Sequence, residues 1–234
     1  MLVPEEPEPA PPLPIWNAAV TMATAGPPDW FPYGVPVDPV HHLPILTAPD
    51  LSSMPIVATA FDKRGSAPDV GATLLHFYVQ DQKLRTQLLH PQSFVQSLAL
   101  AWGITSPDFS MWADAPRDLR ILSVRMNRML GAYYQSRGLR VVPSLRWIDS
   151  NDYDFCFAGV EIGSAVSVST HGLWRAGKLR QGFLNGLHEA VERIEPRAIF
   201  VYGTVNHVVF RDIARKTDLV HFEDDRTRAR KRAA

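Results

Sequence analysis

Cysteine is almost absent from this sequence: Cys156 is the only one in 234 residues. A single thiol excludes an intrachain disulfide, a Cys-based zinc site and a multi-cysteine iron–sulfur cluster. It fits a reducing compartment. Long apolar runs are missing too, and none reaches the roughly 18–20 residues a membrane span requires. Neither G-x-G-x-x-G nor G-x-x-x-x-G-K-[ST] occurs, so the common dinucleotide and P-loop sites lose support. Lys and Arg are absent from residues 1–62, which carry Glu5, Glu6, Glu8, Asp29, Asp38, Asp50 and Asp62. The whole chain is nevertheless neutral, with 24 cationic and 24 acidic side chains. Part of the balance comes from Arg226, Arg228, Arg230, Lys231 and Arg232 at the far end. The body between is close to neutral, so composition shows no broad electrostatic footprint for nucleic acid.

What is abundant is proline, and it is concentrated. Thirteen of the 20 prolines fall in residues 1–50. Each fixes φ, removes a donor and pushes its predecessor toward extended backbone. The opening stretch is therefore expected to be disordered or polyproline II-like. From Trp16 to Asp50, Trp30, Phe31, Tyr33, Val35, Leu43, Ile45 and Leu46 accompany the prolines, which predicts an extended arm lying over a core. The adjacent His41 and His42 read as a solvated loop pair. Three parts follow: an acidic Pro-rich arm over 1–50, one α/β domain over 51–223, and a basic tail over 224–234 that is expected to fray.

Within the domain, strand and helix alternate. Short β-branched or apolar runs predict strands at 56–61, 73–79, around Ile104, and at 139–145, 165–169, 198–202 and 219–222. Helical spacing marks 91–100, 116–137, 178–194 and 206–215, with a short helix around 151–157. The clearest helix is 116–137. Leu119, Leu122, Met126, Met129, Leu130 and Tyr133 form one stripe, Arg117 and Arg128 fall opposite it, and Gly138 closes it. Pro143 inside the fourth strand marks its end or a bulge. The fold class is α/β: a predominantly parallel sheet with covering helices, closed as a reduced TIM-like barrel or open and doubly wound.

In both closures ligands bind beyond the carboxyl ends of the strands. That rule selects Asp62; Asp108 and Ser110; Arg146, Trp147 and Asp149; Ser169, Thr170, His171 and Gly172; and Tyr202, Gly203, Thr204 and Asn206. Two hydroxyls, a glycine-freed backbone and an imidazole at 169–172 could hold a phosphate or carboxylate; the same tract could simply be a polar turn. Asp108 and His171 are the candidates for acid–base work. Arg146, Trp147, Ser169, Thr170, Gly172, Tyr202 and Asn206 are the candidates for holding a ligand. Asp149 and Glu161 could each join Asp108 in a carboxylate pair, although loop carboxylates commonly serve as caps or Asx turns. Cys156, between Phe155 and Phe157, reads as a buried thiol. No metal site is expected, and no cofactor is indicated. The cations at 226–232 could hold a phosphate backbone or remain a solvated tail.

The series Asp108-Phe109-Ser110, Asn127-Arg128, Tyr133-Tyr134-Gln135 with Gly138, Val142-Pro143, Arg146-Trp147, Phe155-x-Phe157-x-Gly159, Ser169-Thr170-x-Gly172, Phe183-x-x-Gly186 and Pro196-x-x-Ile199-x-Val201-Tyr202-Gly203 resembles an uncharacterised family. That family occurs in bacteria, bacteriophages and mobile elements and is carried as a domain of unknown function. The match spans about residues 104–204. The resemblance implies a cytoplasmic, phage- or mobile-element-associated protein and supplies no activity. Two functions remain open. One is a cleft that binds a small anionic or nucleotide-like ligand and could hydrolyse it or transfer a group from it. The other is a non-enzymatic accessory protein that binds nucleic acid or a host protein.

Overall fold

Seven short strands run parallel within two sheets and follow one another in chain order. A computed structural model describes residues 29–171, 173 and 177–233. The first sheet holds β1 (Val57–Ala60), β2 (Thr73–His76), β3 (Gly103–Thr105) and β4 (Val141–Val142), in that order. The second holds β5 (Ala165–Ser169), β6 (Ala198–Tyr202) and β7 (Asp218–Phe222). Every ladder is parallel. The order does not reverse within either sheet, as it would at the switch point of a doubly wound fold. Among the described residues no ladder joins β7 to β1, so a closed barrel is not shown.

Pro143 explains why β4 is only two residues long. It has no N–H to continue the ladder with β3, and the chain then changes partner. The Pro143 carbonyl accepts from Ser167 N at 2.8 Å, Leu145 N donates to the Ser167 carbonyl at 2.8 Å, and Ser144 bridges Ser167 in parallel. One proline thus ends the first sheet and hands the backbone to the second.

Alternation along the strands sorts the core. Ala58, Leu74, Val142, Ala165, Ala198, Phe200, Tyr202 and Phe222 pack into a single cluster drawn from both sheets. The intervening residues face helices: Leu75, Ile104 and Val141 on one side, Val166, Val168, Ile199 and Val201 on the other. The covering helices are α1 (Asp81–Leu89), the single turn α2 (Val95–Leu98), α3 (Arg117–Ser136), α4 (Tyr153–Cys156), α5 (Gly177–Ile194), α6 (Val208–Ile213) and α7 (Asp225–Ala233). None is long and apolar enough to cross a membrane.

Three expectations need correction. Arg128 does not lie on the outer face of α3; it is 1% exposed, among the most buried side chains described. The chain beyond Asp224 does not fray but forms α7, where Thr227 N donates to Asp224 Oδ1 at 2.8 Å and Asp225 pairs with Arg228. His41 is not a solvated loop residue: its ring packs edge-on to Phe155, with Nε2 3.3 Å from Asp154 Oδ2. Residues 1–28, which include the opening expected to be disordered or polyproline II-like, lie outside the described residues. Downstream of it, Trp30, Leu43 and Leu46 are buried among the core clusters.

Candidate functional site

Parallel strands send all their C-terminal exits to one end of a sheet, and here the two sheets bring those exits around one cleft. It has two adjoining lobes, of about 460 Å³ and about 540 Å³. Tyr78, Asp108, Ser110, Arg146, Ser169 and His171 line both. They come from the connections after β2, β3 and β4, and from the last residue of β5 and the connection that follows it.

The charged lobe adds Asp62 and Lys63 from after β1, His76 at the end of β2, Lys83 on α1, Tyr202 at the end of β6 and Asp225 at the start of α7. Its cations are all paired. Arg146 Nε donates to Asp108 Oδ1 and Oδ2 at 3.0 and 3.1 Å, and Arg146 Nη2 also reaches Asp108. Lys63 Nζ is 2.8 Å from Asp225 Oδ2, and Lys83 Nζ is 2.5 Å from Asp62 Oδ2. Asp81 sits behind the rim and accepts from Ser110 N at 3.1 Å and Ser110 Oγ at 3.0 Å. Burial raises its carboxyl above the ordinary value despite those bonds.

Three rings form one wall. His76 and Tyr202 lie 4.0 Å apart between centroids, and Tyr78 stacks on each. Tyr78 Oη bonds Ser167 Oγ at 2.6 Å, and Tyr202 Oη accepts from Asp225 N at 3.2 Å. Burial raises both phenols, Tyr202 to about 12. His76 is 1% exposed, and neither ring nitrogen has a hydrogen-bond partner in the described structure. Burial outweighs the mixed charges of Asp225, Arg228, Asp62 and Lys63 and pushes its pKa down to about 3, so the imidazole is neutral.

The apolar lobe continues past the shared residues to Met111, Trp112, Leu145, Trp147, Ile148, Leu173, Leu179 and Phe183. Trp112 and Leu179 are 49% and 41% exposed.

The sequence-derived candidates divide cleanly. Asp108, Arg146, Ser169, His171 and Tyr202 converge on the charged lobe. His171 sits at the rim with Nδ1 3.8 Å from Asp224 Oδ2, and its N–H donates to Ser169 Oγ at 3.2 Å. Thr170 is buried; its hydroxyl donates to the Thr204 carbonyl at 2.9 Å, and it does not line the cleft. Trp147 is a packing residue beneath the apolar lobe, stacked on Phe183 at 5.3 Å with Nε1 donating to the Gly182 carbonyl at 3.0 Å. Asn206 is exposed and away from the cleft, and Gly172 lies outside the described residues. Asp149 accepts from Asn151 N and Glu161 from Ala48 N, so neither pairs with Asp108. Of the basic tail, Arg228 and Lys231 pair with Asp225 and Glu223, Arg230 is exposed, and Arg226 and Arg232 lie within α7. Cys156 is buried, and burial raises its thiol well above the ordinary value.

Sequence reasoning missed Lys63, Lys83, His76, Tyr78 and Trp112. His76 and Tyr78 carried a usable signal, because they continue the alternation of Leu74 to the last residue of β2 and two positions beyond it.

Beneath the cleft lies a buried polar network. Asn127 Nδ2 donates to the Pro107 carbonyl at 2.8 Å and Ser144 Oγ at 2.9 Å, while Ser106 Oγ donates to Asn127 Oδ1 at 2.9 Å. Arg128 donates to the carbonyls of Ala158, Ser144 and Cys156 at 3.0, 3.1 and 2.9 Å, and to Asn127 Oδ1 at 2.6 Å. These bonds fix the connections that carry Asp108 and Arg146.

The molecule is therefore an α/β protein of parallel strands with a polar cleft at the strand exits. The family described as Domain of unknown function (DUF4417) matches residues 35–223, and the chain belongs to it. The Gene 1 protein of Mycobacterium phage L5 is 34% identical over 134 residues, covering 57% of this chain and 58% of that protein. The Gene 1 protein of Mycobacterium phage D29 is 34% identical over 139 residues, covering 59% of this chain and 51% of that protein. The aligned part thus spans little more than half of these phage relatives. No solved structure matches the chain.

Proposed function

We propose that the cleft binds a small anionic, nucleotide-like ligand and that Arg146 is its principal anion contact. The observation that carries this reading is the sharing of Tyr78, Asp108, Ser110, Arg146, Ser169 and His171 between a charged lobe and an apolar one. A ligand spanning both needs a charged end and an apolar end. Asp108 holds the Arg146 fork in place from one side, while 40% exposure of the Arg146 side chain leaves the guanidinium open to the cleft. Lys63 and Lys83 would add charge by exchanging their carboxylate partners for the ligand. His171, at the rim beside Ser169, is positioned to give or take a proton if the ligand is processed. The lone buried thiol and the phage relatives favour a cytoplasmic setting.

Calorimetric titration of the full chain with nucleoside monophosphates, in low and high salt, tests this reading. Salt-sensitive binding that Arg146→Ala abolishes is expected. Equal binding by Arg146→Ala, or none by the wild type at millimolar ligand, defeats it. The second reading, nucleic-acid binding through the basic C-terminal segment, has weaker support, because two of its cations are already paired with carboxylates.

A further inference from the structure

Four tryptophans are described, and three are spoken for. Trp30 meets Tyr133 edge-on at 5.7 Å, Trp102 lies against Phe200 at 5.8 Å, and Trp147 stacks on Phe183. Trp112 meets no other ring among the described residues. It is 49% exposed and lines the apolar lobe together with Leu179, which is 41% exposed. Large apolar side chains left open usually scatter over a surface. These two share one concave wall with Leu173 and Phe183, next to an arginine that faces the same cleft. An indole inside a cleft that meets no other ring among the described residues is a platform on which a flat ligand can stack.

We propose that the apolar lobe is a nucleobase subsite, in which Trp112 stacks on the base of a nucleoside monophosphate whose phosphate lies at Arg146. This rests on the reading that the charged lobe holds the ligand's anion. Three features choose a base over an acyl chain. The lobe is an open cleft of about 460 Å³ and not a narrow tunnel. Its lining includes the polar side chains of Ser110, Asp114 and Ser169, with which the edge of a base can hydrogen-bond and an acyl chain cannot. It also opens directly onto Arg146, so a charged group and a flat apolar group must belong to one short molecule. A base meets all three: its faces are apolar and its edge is polar.

The test is calorimetric titration of the full chain with the 5′-monophosphates of adenosine, guanosine, cytidine and uridine, with ribose 5-phosphate, and with the free nucleosides. At least one nucleotide is expected to bind roughly tenfold or more tighter than ribose 5-phosphate. Trp112→Ala should erase that advantage and leave ribose 5-phosphate binding unchanged; Trp112→Phe should restore most of it. Ribose 5-phosphate binding as tightly as every nucleotide overturns the subsite while the anion reading stands. Free nucleosides binding as tightly as their monophosphates keeps the subsite and removes the anion reading. Absence of all binding at millimolar ligand overturns both. A Trp112→Ala protein that keeps the full base advantage overturns the role of Trp112.

Discussion

Arg146 Nε lies 3.0 and 3.1 Å from the two carboxylate oxygens of Asp108, which ties the exit of β4 to the exit of β3 across the cleft. The two partners are unequally buried: the Asp108 side chain is 3% exposed and that of Arg146 is 40% exposed. Removing the cation strands a desolvated carboxylate, whereas removing the carboxylate leaves a cation that water can reach. Arg146→Ala should therefore destabilise the fold by about 2 kcal/mol, and Asp108→Ala by less. Urea denaturation of the two variants checks the order; equal losses would contradict it.

Arg128 offers a harsher case. Its guanidinium is buried and satisfied by three backbone carbonyls and the Asn127 side chain, and burial lowers its pKa to about 10. Lysine carries the charge but lacks the planar fork, so it cannot reach all four acceptors. Arg128→Lys is expected to cost about 3 kcal/mol or more, as judged from chemical denaturation. A loss below 1 kcal/mol would show that the network is dispensable.

His76 should give the fold an acid sensitivity. Its folded-state pKa is depressed to about 3 from an ordinary 6.5. The unfolded chain therefore binds a proton that the folded chain refuses, and stability present above pH 6.5 is lost progressively as pH falls toward 3. Between pH 7 and pH 5 this single group should remove about 2 kcal/mol. His76→Phe keeps a ring between Tyr78 and Tyr202 and removes the titration. The difference in unfolding free energy between wild type and variant should narrow or reverse as pH drops over that range; a constant difference would place the imidazole in contact with water.

Two glycines of α5 should respond with opposite signs. A Cβ on Gly186 would overlap the Trp147 indole, while Gly177, at the start of the helix, has open space. Gly177→Ala is expected to stabilise by a few tenths of a kcal/mol through helix propensity. Gly186→Ala should destabilise and release the Trp147–Phe183 stack, seen as a shift in tryptophan emission.

Much of this arrangement was readable in the chain. The apolar runs of β5 and β6 and the stripe of α3 carry strong periodicity, and the C-terminal ends of β3, β4, β5 and β6 supplied Asp108, Arg146, Ser169, His171 and Tyr202. Weaker elements escaped for physical reasons. Within α1, the buried apolar residues are only Leu84 and Leu88, so its period is too faint to see. Arg128 falls opposite the apolar stripe of α3 by spacing, whereas carbonyls of Ser144, just past β4, and of the 156–158 segment surround it. Lys63 and Lys83 looked like ordinary surface charge, because nothing local reveals that Asp225 and Asp62 meet them in space. Trp112 sits in a loop without a period, and only the tertiary packing shows that its indole meets no other ring among the described residues.

The Lys63–Asp225 pair spans 162 positions of chain. During synthesis the Asp108–Arg146 clamp can form once the first four strands have emerged. Asp225 arrives only after all seven strands have been made. A nascent chain would thus possess the arginine of its cleft long before the far wall exists, and retention of a bound molecule would await α7.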